Sequence, residues 1–437
     1  MRFCVARDQR RQTAIDRSRV LLLACGSMGP VALASLLLLL AVCTTANYGC
    51  TKSGGTSTGN GGTTASGGGG ATVTGGAGGS GAGGSDGGSS GAAGDDGVSD
   101  GAAGDRDVSD SRAPCGVPAT FAWSSAGPVL SPKSDGTHNL VSIKDPSVVY
   151  FNEQWHVFVS TVDVNGAYSM AYITFPDWDH TANATFAYLD QTPALRGYHA
   201  APQVFFFAPQ HKWYLVFQSG PPQYSTNDDI ENHRTWTTPQ NFYASEPVTV
   251  TQTKGPNGGW LDFWVICDDN LCHLFFSDDA GHWYRGQTTV AAFPQGFGEP
   301  VVVLRDDANP GRLFEASNVY NLRGSNKYLA LIEAFDAGSN YRRYFRSWTA
   351  DRLDGDWTPL QDTFSMPFAS TANVTFTQQP PWTQHISHGE MVRDGYDQHL
   401  TVDPCHLDFV YQAFDRASEG LPYNSLPWQL GLLTKAN

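Results

Sequence analysis

Positive charge is scarce in this chain. The 437 residues include 27 Lys and Arg against 42 Asp and Glu, which gives a formal net charge of −15. This balance argues against nucleic acid or an anionic membrane as the main partner. Charged residues make up 16% of the chain and aromatic residues 12%. Such a composition suits a sugar ligand, because the apolar faces of sugar rings stack on Trp and Tyr, although aromatic residues also fill the cores of β-sheets.

Long apolar runs are also missing, apart from one near the N-terminus. The block Val31–Val42 is apolar and follows a basic segment, which is typical of a signal peptide and is short for a membrane span. Cys43 follows this block at the place of a lipidated cysteine. We therefore predict a signal peptide or lipoprotein leader over residues 1–50. Plain secretion and a membrane tether through the N-terminus both stay open.

Apolar side chains are almost absent from residues 51–113, which consist mainly of Gly, Ser, Thr, Ala and Asp. A segment of this kind cannot bury enough apolar surface to fold, so we predict a disordered, flexible linker. Its Asp residues lack the spacing of a calcium-binding EF-hand loop. The linker would hold the following domain, residues 114–437, away from a cell surface, and we expect a secreted protein or a cell-surface lipoprotein.

Long helical periodicity is missing from residues 114–437, where short apolar runs alternate with polar turns. A unit of about four strand-like runs recurs at intervals of roughly 50 to 70 residues. The five units start near Asp145, Gln203, Asp262, Glu315 and His388. Five units of four strands predict an all-β fold, a five-bladed β-propeller. A pair of β-sandwiches is the competing fold.

Cysteines are few, and four of the eight lie in the predicted propeller: Cys115, Cys267, Cys272 and Cys405. Export would allow them to form disulfides. Cys115 and Cys405 lie near the two ends of the domain, so a bridge between them would close it. Cys267 and Cys272 flank a turn and could pair across a hairpin. Neither pair has the spacing of a metal site with nearby histidines.

Polar residues begin each predicted unit, and the first strand of a propeller blade lines the central channel. Three of these residues are acids, namely Asp145, Asp262 and Glu315. Acids that converge on one channel repel one another, which is costly unless function requires it. The alternative is that each acid caps a turn or pairs with a cation such as Lys144 or Arg343.

Two carboxyl groups that face a sugar ring are the minimum for glycoside hydrolysis. Lys144 beside Asp145 favours the ionised carboxylate, which suits a base. Glu315 has apolar neighbours in the sequence, and desolvation would keep it protonated, which suits an acid. Asp262 lies between Trp260 and Trp264 and fits a group that holds the pKa of the acid up. These roles are hypotheses from the local sequence.

Several short motifs follow one another along the domain. They are Lys144-Asp145, Ala201-Pro202-Gln203, Leu261-Asp262, Phe314–Tyr320, Tyr344–Ser347, Ile386–Gly389, Thr401–Cys405 and Tyr423–Trp428. In this order, over essentially all of residues 115–437, they resemble glycoside hydrolase family 62. Members of this family are α-L-arabinofuranosidases with five-bladed propellers, related to family 43. One departure is Phe263, where many members have Gln, and it would change the pocket wall without touching the acids.

The resemblance implies an inverting mechanism. Asp145 would be the base, Glu315 the acid, and Asp262 the group that modulates the pKa of the acid and orients the sugar. The resemblance also implies an arabinofuranose pocket that includes Lys144 and Tyr423, and we assign Gln203 to substrate binding with them.

Two further features are implied by the same resemblance. One is a bridge between Cys115 and Cys405. The other is a calcium ion in the channel near His388. Because calcium prefers oxygen ligands, a hydrogen-bonded core histidine is the alternative for His388.

These observations predict a monomeric, exported α-L-arabinofuranosidase that removes terminal arabinofuranosyl side groups from arabinoxylan or arabinan. The alternatives are a non-catalytic carbohydrate-binding propeller and a related glycosidase, such as a β-xylosidase or an endo-arabinanase. The set of three acids favours an enzyme, because a protein that only binds a neutral sugar has no need to concentrate negative charge. Four tryptophans are candidates either for stacking xylose units or for packing between blades: Trp213, Trp236, Trp283 and Trp382.

Overall fold

The computed structural model describes residues 115–256, 258–336 and 341–436. The predicted leader, the predicted linker and the predicted lipidation site Cys43 lie outside the described residues. Within the described ranges, no helix is long and apolar enough to cross a membrane. Regular structure in these ranges is almost entirely β.

The domain begins with two short strands, β1 (Trp123–Ser125) and β2 (Pro128–Leu130). Neither strand belongs to the first blade. Both pair with the last strand of the chain, Gln429–Lys435. The two ends of the domain therefore share one sheet.

The first four blades are antiparallel sheets whose strands follow one another along the chain. The first blade contains β3 (Leu140–Phe151), β4 (Gln154–Asp163), β5 (Tyr168–Phe175) and β6 (Thr185–Tyr188). The second contains β7 (Ala200–Phe207), β8 (Lys212–Gln218), β9 (Pro222–Asn227) and β10 (Gln240–Asn241). The third contains β11 (Leu261–Cys267), β12 (Leu271–Ser277), β13 (His282–Thr289) and β14 (Val301–Arg305). The fourth contains β15 (Glu315–Leu322), β16 (Lys327–Asp336), β17 (Arg342–Ala350) and β18 (Thr358–Pro359).

The fifth blade combines both ends of the domain. The remaining strands are β19 (Asp362–Thr363), β20 (Met366–Pro367), β21 (Val374–Phe376), β22 (Ser387–Met391), β23 (Thr401–Val402), β24 (Asp408–Ala413) and β25 (Gln429–Lys435). The blade has the order β22-β24-β25-β1-β21. Strands β19 and β20 form a separate hairpin, and β23 pairs with β15. The predicted five-bladed β-propeller is confirmed.

Helical structure is limited to short connections in the described part of the chain. One α-helix, α1, spans Val248–Thr253. Short 3₁₀ helices occur at Trp178–Asn183, Leu189–Gln191, Pro193–Leu195, Ala208–Gln210, Pro310–Arg312, Arg416–Ser418 and Tyr423–Ser425. All of them lie between strands.

The core consists of large apolar side chains packed within and between the blades. The four tryptophans that were candidates for sugar stacking are all buried, with at most 7% of their surface exposed. Trp213 packs against Phe151 and Phe206, and Trp283 packs against Phe275. The interpretation of these tryptophans as packing residues is therefore confirmed.

A β-bulge near the start of each inner strand shapes the end of the channel where the site lies. The strand register shifts at Lys144/Ser147, Ala200/Gln203, Leu261/Trp264, Glu315/Asn318 and Ser387/Gly389. In the first four blades, one residue of the bulge has a left-handed backbone. These residues are Asp145 (φ 51°), Ala201 (φ 49°), Asp262 (φ 56°) and Ala316 (φ 54°). Because a bulge removes one residue from the ladder, the backbone N–H of that residue needs another partner.

Side chains of the preceding blade accept these amide hydrogens. Gln412 Oε1 accepts from Asp145, Ser160 Oγ from Ala201, Gln218 Oε1 from Asp262, Asp262 Oδ2 from Ala316 and Glu333 Oε2 from His388. The donor–acceptor distances run from 2.7 to 3.2 Å. The start of every inner strand is thus hydrogen-bonded to the blade before it.

The bulges align the inner strands of the blades differently from the alignment that the sequence predicted. Asp145 and Asp262 occupy equivalent positions, but Ala201 and Ala316 stand there in the second and fourth blades. Glu315 comes one residue before this position and Gln203 two residues after it. The predicted alignment of the blades was wrong because each bulge adds one residue to its strand. Apolar periodicity alone does not reveal where that residue is added.

Two disulfides are present. Cys115 is bonded to Cys405 with a Cα–Cα distance of 5.3 Å, which attaches the N-terminal segment to the loop between β23 and β24. Cys267 is bonded to Cys272 with a Cα–Cα distance of 4.0 Å across the β11–β12 turn. The first bridge agrees with what the family resemblance implied, and the second settles a pairing that the sequence had left open.

Candidate active site

The three acids predicted from the sequence come together at one end of the channel. His388 connects two of them, because its Nδ1 lies 3.2 Å from Asp145 Oδ1 and 3.9 Å from Asp262 Oδ2. Asp262 in turn accepts the backbone N–H of Ala316, the residue next to Glu315, at 2.7 Å. Four blades therefore contribute to one small cluster of charged groups.

Asp145 is buried between two cations. Lys144 Nζ lies 3.9 Å from Asp145 Oδ1, and His388 approaches the same oxygen. Burial by itself would raise the pKa of Asp145, but Lys144 and His388 outweigh it and hold the pKa below its ordinary value. Asp145 is therefore suited to act as an ionised base.

Asp262 has the opposite electrostatic environment. Burial, with repulsion from Glu315 and Asp145, raises the pKa of Asp262 to about 7, although His388 and the N–H of Ala316 act against this shift. Among the described residues, no Lys or Arg lies within ion-pair distance of Asp262. A carboxyl group of this kind can hold a proton near neutral pH.

Arg343 is shared between two carboxylates. Its Nη1 lies 2.6 Å from Glu315 Oε1 and 2.7 Å from Glu333 Oε1. Glu333 is completely buried and also accepts hydrogen bonds from Ser387 Oγ at 3.0 Å and from the backbone N–H of His388 at 2.7 Å. Burial and repulsion from Glu315 raise the pKa of Glu333 despite the contact with Arg343. These contacts fix the carboxyl group of Glu315 against the fourth and fifth blades.

Lys144 and Tyr423 form one wall of the site. Lys144 Nζ donates a hydrogen bond to Tyr423 Oη at 2.9 Å and lies 4.8 Å from the centre of the Tyr423 ring. The rings of Tyr168 and Trp428 lie 5.4 and 5.8 Å from the same ammonium group. Tyr423 is 44% exposed, so its ring is open to a ligand. Two of the three residues predicted to bind substrate are therefore adjacent to the acids.

Gln203, the third predicted substrate-binding residue, lies elsewhere. Its Nε2 donates to the Val265 carbonyl at 2.7 Å, and its Oε1 accepts from the Val265 N–H at 2.7 Å. Only 1% of Gln203 is exposed. Both ends of its amide are used to join the second and third blades, so we leave Gln203 out of the substrate contacts.

His388, near which the family resemblance implied a calcium ion, lies between two acids. Burial lowers its pKa, but Asp145 and Asp262 outweigh burial and raise the pKa. Its Nδ1 faces both of these carboxylates. In the described ranges, no group of three or more His, Cys, Asp or Glu side chains is arranged to hold a metal ion. The calcium ion near His388 stays a prediction, and the mechanism below uses none.

The sequence reasoning missed the second-strand residues around the site. Ser160, Gln218, Glu333 and Gln412 pair in register with the residues just before the bulges, in β4, β8, β16 and β24. Each of them is a polar residue that directly follows a run of apolar residues in its strand. The polar residue after an apolar run is the sequence signal that could have identified these four residues, because a polar side chain in a buried strand needs a hydrogen-bond partner.

Asp279 was also missed, because an Asp in a turn is common and does not by itself indicate a site. It follows β12 in the third blade. Burial, with repulsion from Glu315 and Asp262, raises the pKa of Asp279 to about 9, and Arg343 acts against this shift. A fourth carboxyl group therefore belongs to the acid cluster.

The site combines an ionised carboxylate, two carboxyl groups that retain protons near neutral pH, and an arginine-bound glutamate. It lies at the end of a propeller channel beside exposed aromatic residues. Two carboxyl groups with different protonation are what acid–base cleavage of a glycosidic bond needs. Fold and site together define a protein of the glycosidase class.

Comparison with known proteins agrees with this class. The sequence profile described as Glycosyl hydrolase family 62 matches residues 122–434. The chain belongs to glycosyl hydrolase family 62, which confirms the resemblance found in the sequence.

One similar curated protein is Alpha-L-arabinofuranosidase C of Cellvibrio japonicus (strain Ueda107). It is 43% identical over 321 residues, which cover 73% of this chain and 48% of the relative. The chain therefore spans about half the length of the curated relative it matches.

Two solved structures are also similar. The catalytic domain of the Coprinopsis cinerea GH62 α-L-arabinofuranosidase is 53% identical, with a TM-score of 0.70 over 74% of this chain and 99% of that chain. The α-L-arabinofuranosidase from Podospora anserina, solved in complex with cellotriose, is 47% identical. Its TM-score is 0.69 over 74% of this chain and 98% of that chain.

Proposed function

We propose that this protein is an inverting α-L-arabinofuranosidase that hydrolyses terminal arabinofuranosyl side groups of arabinoxylan or arabinan. The observation that carries the proposal is the contrast between Asp145, whose pKa is lowered, and the carboxyl groups around Glu315, whose pKa values are raised. Family membership and the arabinofuranosidase relatives support the choice of sugar.

The base in this mechanism is Asp145. Its ionised carboxylate takes a proton from a water molecule, and the oxygen of that water attacks the anomeric carbon of the arabinofuranose. Lys144 and His388 keep Asp145 ionised before the reaction. They also hold its carboxylate in one orientation.

The acid is Glu315. It gives its proton to the glycosidic oxygen as the bond from the anomeric carbon to that oxygen breaks, so the leaving sugar departs as a neutral alcohol. Arg343 Nη1 orients the Glu315 carboxyl group and stabilises the carboxylate that forms after proton transfer. Glu333 keeps Arg343 in place from the buried side.

Asp262 modulates the acid. Its carboxyl group lies close enough to Glu315 for that acid to help raise the pKa of Asp262, after burial, and it is fixed by the N–H of Ala316. Lys144 and Tyr423 supply a polar group and an exposed ring for the arabinose.

The proposal is tested by arabinose release from wheat arabinoxylan and from arabinan. Wild-type protein should release monomeric arabinose, and Glu315→Gln should be slower by about 100-fold or more while its circular dichroism spectrum stays the same. Proton NMR of the first product should detect β-arabinofuranose, the inverted anomer. If wild-type protein binds arabinoxylan but frees no sugar, the protein is a binding propeller; if the α-anomer forms first, the mechanism retains configuration.

We further propose that the protein is exported and is tethered through Cys43 when that residue carries a lipid. The apolar block before Cys43 supports a leader, and the two disulfides suit an oxidising compartment. Incorporation of radiolabelled palmitate into the full-length protein, but not into Cys43→Ala, is the expected result. Equal labelling of both proteins would place the lipid elsewhere, and no labelling of either would leave plain secretion.

A further inference from the structure

Two adjacent aspartates follow β12, and they have different environments. The carboxylate of Asp278 accepts hydrogen bonds from the backbone N–H groups of Ala280 (2.8 Å) and His282 (3.1 Å) and from Tyr284 Oη (2.7 Å). It also contacts His282 Nδ1 at 2.6 Å. Asp278 is therefore fully used in holding the turn between β12 and β13.

This turn is rigid. Asp279 has a left-handed backbone with φ 58°, and Gly281 has φ 93°. A Cβ on Gly281 would lie 2.6 Å from the carbonyl oxygen of Asp306, whose N–H donates to the Gly281 carbonyl at 2.8 Å. The backbone on both sides of Asp279 is thus held in place.

The carboxyl group of Asp279 has an unused oxygen. Its Oδ1 is buried and has no hydrogen-bond partner within the described residues. A buried polar atom of this kind is costly unless a ligand or another group satisfies it in the working protein. Asp262 and Glu315 are the acids that face it, Arg343 is the cation that faces it, and Asp278 is its neighbour in the turn.

The position of Asp279 indicates which part of a substrate it would meet. Ser277 pairs with Leu261, so the turn that carries Asp279 lies beside the start of β11 and not beside β3. Asp145 and Lys144, by contrast, start the first blade next to Tyr423. In an inverting site the leaving sugar lies on the side of the acid, opposite to the base. Asp279 neighbours Glu315 and is therefore on the side of the leaving sugar.

We propose that Asp279 determines specificity for a sugar as the leaving group, because its carboxyl group hydrogen-bonds to a hydroxyl of the pyranose ring that carries the arabinose. This inference rests on the proposed function and names the part of the substrate that Asp279 recognises. Near neutral pH the carboxyl group can both donate and accept a hydrogen bond, because its pKa is raised to about 9, first by burial and then by the neighbouring acids.

Two substrates distinguish recognition of the leaving sugar by Asp279 from a general effect of Asp279 on catalysis. An arabinoxylo-oligosaccharide has pyranose hydroxyls in its leaving group, whereas p-nitrophenyl α-L-arabinofuranoside has none. We expect Asp279→Ala to lower kcat/KM for the oligosaccharide by about tenfold or more, as loss of one hydrogen bond to a substrate hydroxyl does. The kcat/KM for the nitrophenyl substrate should fall by a smaller factor, because this substrate offers no pyranose hydroxyl to Asp279. Equal changes for both substrates, or none for either, would overturn the inference.

Asp279→Asn keeps a donor and an acceptor in the same place and should retain most of the oligosaccharide activity. In wild-type protein the preference for the oligosaccharide should fall as the pH rises through about 9, because the ionised carboxylate no longer donates. Asp279→Asn should show no such fall. An identical alkaline fall in both proteins would also count against the inference, even if Asp279→Ala proved too unstable to assay.

The matched control is Asp269→Ala. Asp269 is exposed in the β11–β12 turn, at the opposite end of the same blade. Its removal should leave the ratio of the kcat/KM values for the two substrates unchanged.

Failure of this inference is distinguishable from failure of the proposed function. In the first case wild-type protein cleaves both substrates and Asp279→Ala does not discriminate between them. In the second case wild-type protein cleaves neither, and the inference fails with it.

Discussion

Lys144 and Asp145 are neighbours in the chain and yet meet in the same channel. Side chains of successive residues in a regular strand point to opposite faces of the sheet. The left-handed backbone of Asp145 breaks this alternation and brings its carboxylate to 3.9 Å from Lys144 Nζ. Asp is among the non-glycine residues that tolerate this conformation best. The pair is therefore a product of the bulge as much as of the sequence.

Removal of the positive charge of Lys144 should move the acidic limb of the pH–rate profile. In wild-type protein the pKa of Asp145, the proposed base, is held below its ordinary value of 3.8, because Lys144 and His388 outweigh the effect of burial. Lys144→Met takes away the largest influence that lowers this pKa. We expect the acidic limb of kcat/KM to move to higher pH, together with a loss of substrate affinity.

Lys133→Met is the control for this shift. Lys133 is exposed and contacts the carbonyl of Ala184 outside the site, so its replacement should leave the acidic limb where it is. An unchanged limb in Lys144→Met would mean that Lys144 does not set the ionisation of Asp145.

At the scale of the strand, the bulges make each blade depend on the one before it. Gln412 in β24 accepts the Asp145 N–H at 2.7 Å and donates to Ser387 Oγ at 3.1 Å. Gln412→Leu keeps the size of the side chain but leaves a buried N–H without a partner. We expect the free energy of unfolding to fall by about 1 to 3 kcal/mol, as measured by urea denaturation.

Gln240→Leu provides the comparison, because Gln240 is exposed on the outer strand of the second blade. Its replacement should change the free energy of unfolding by less than about 0.5 kcal/mol. If both variants were equally stable, the amide hydrogen bond at Asp145 would not contribute to stability.

The inner strands were predictable because their apolar runs and flanking turns are clear in the sequence. Asp145 and Asp262 were found for that reason, and Glu315 was found because it begins the fourth inner strand. The exact alignment of blades was not predictable. Gln203 was grouped with the acids, but the bulge at Ala201 moves it two residues down the channel, where its amide binds Val265.

Contacts between distant segments were the other part that the sequence could not reveal. Glu333 lies in the middle of an apolar strand, and nothing local indicates that Arg343, Ser387 and His388 will surround it. Asp279 is typical of a turn, and only the tertiary fold brings it beside Glu315. Charge clusters of this kind depend on which blades become neighbours, not on local sequence.

At the scale of the whole propeller, the Cys115–Cys405 bridge reinforces the junction between the two ends of the domain. The two cysteines are separated by 290 residues, whereas Cys267 and Cys272 are separated by 5. A disulfide that closes a longer loop restricts the unfolded chain more. We expect replacement of both Cys115 and Cys405 by Ser to lower the free energy of unfolding by about 2 to 4 kcal/mol.

The Cys267→Ser, Cys272→Ser double variant is the matched control, and its loss of stability should be smaller. Chemical denaturation of the three proteins under identical conditions makes the comparison. A larger loss for the short bridge would show that strain or local packing, and not loop length, governs both disulfides.

The place of β1 in the fifth blade has a consequence for synthesis of the chain. Trp123 in β1 pairs with Lys435 in β25, almost the full length of the domain away. The partners of β1, which are β21 and β25, are both made after the other four blades, so the edges of β1 stay unpaired while those blades are made. Because unpaired strand edges invite association with other chains, the growing polypeptide depends on its final strand to complete the ring.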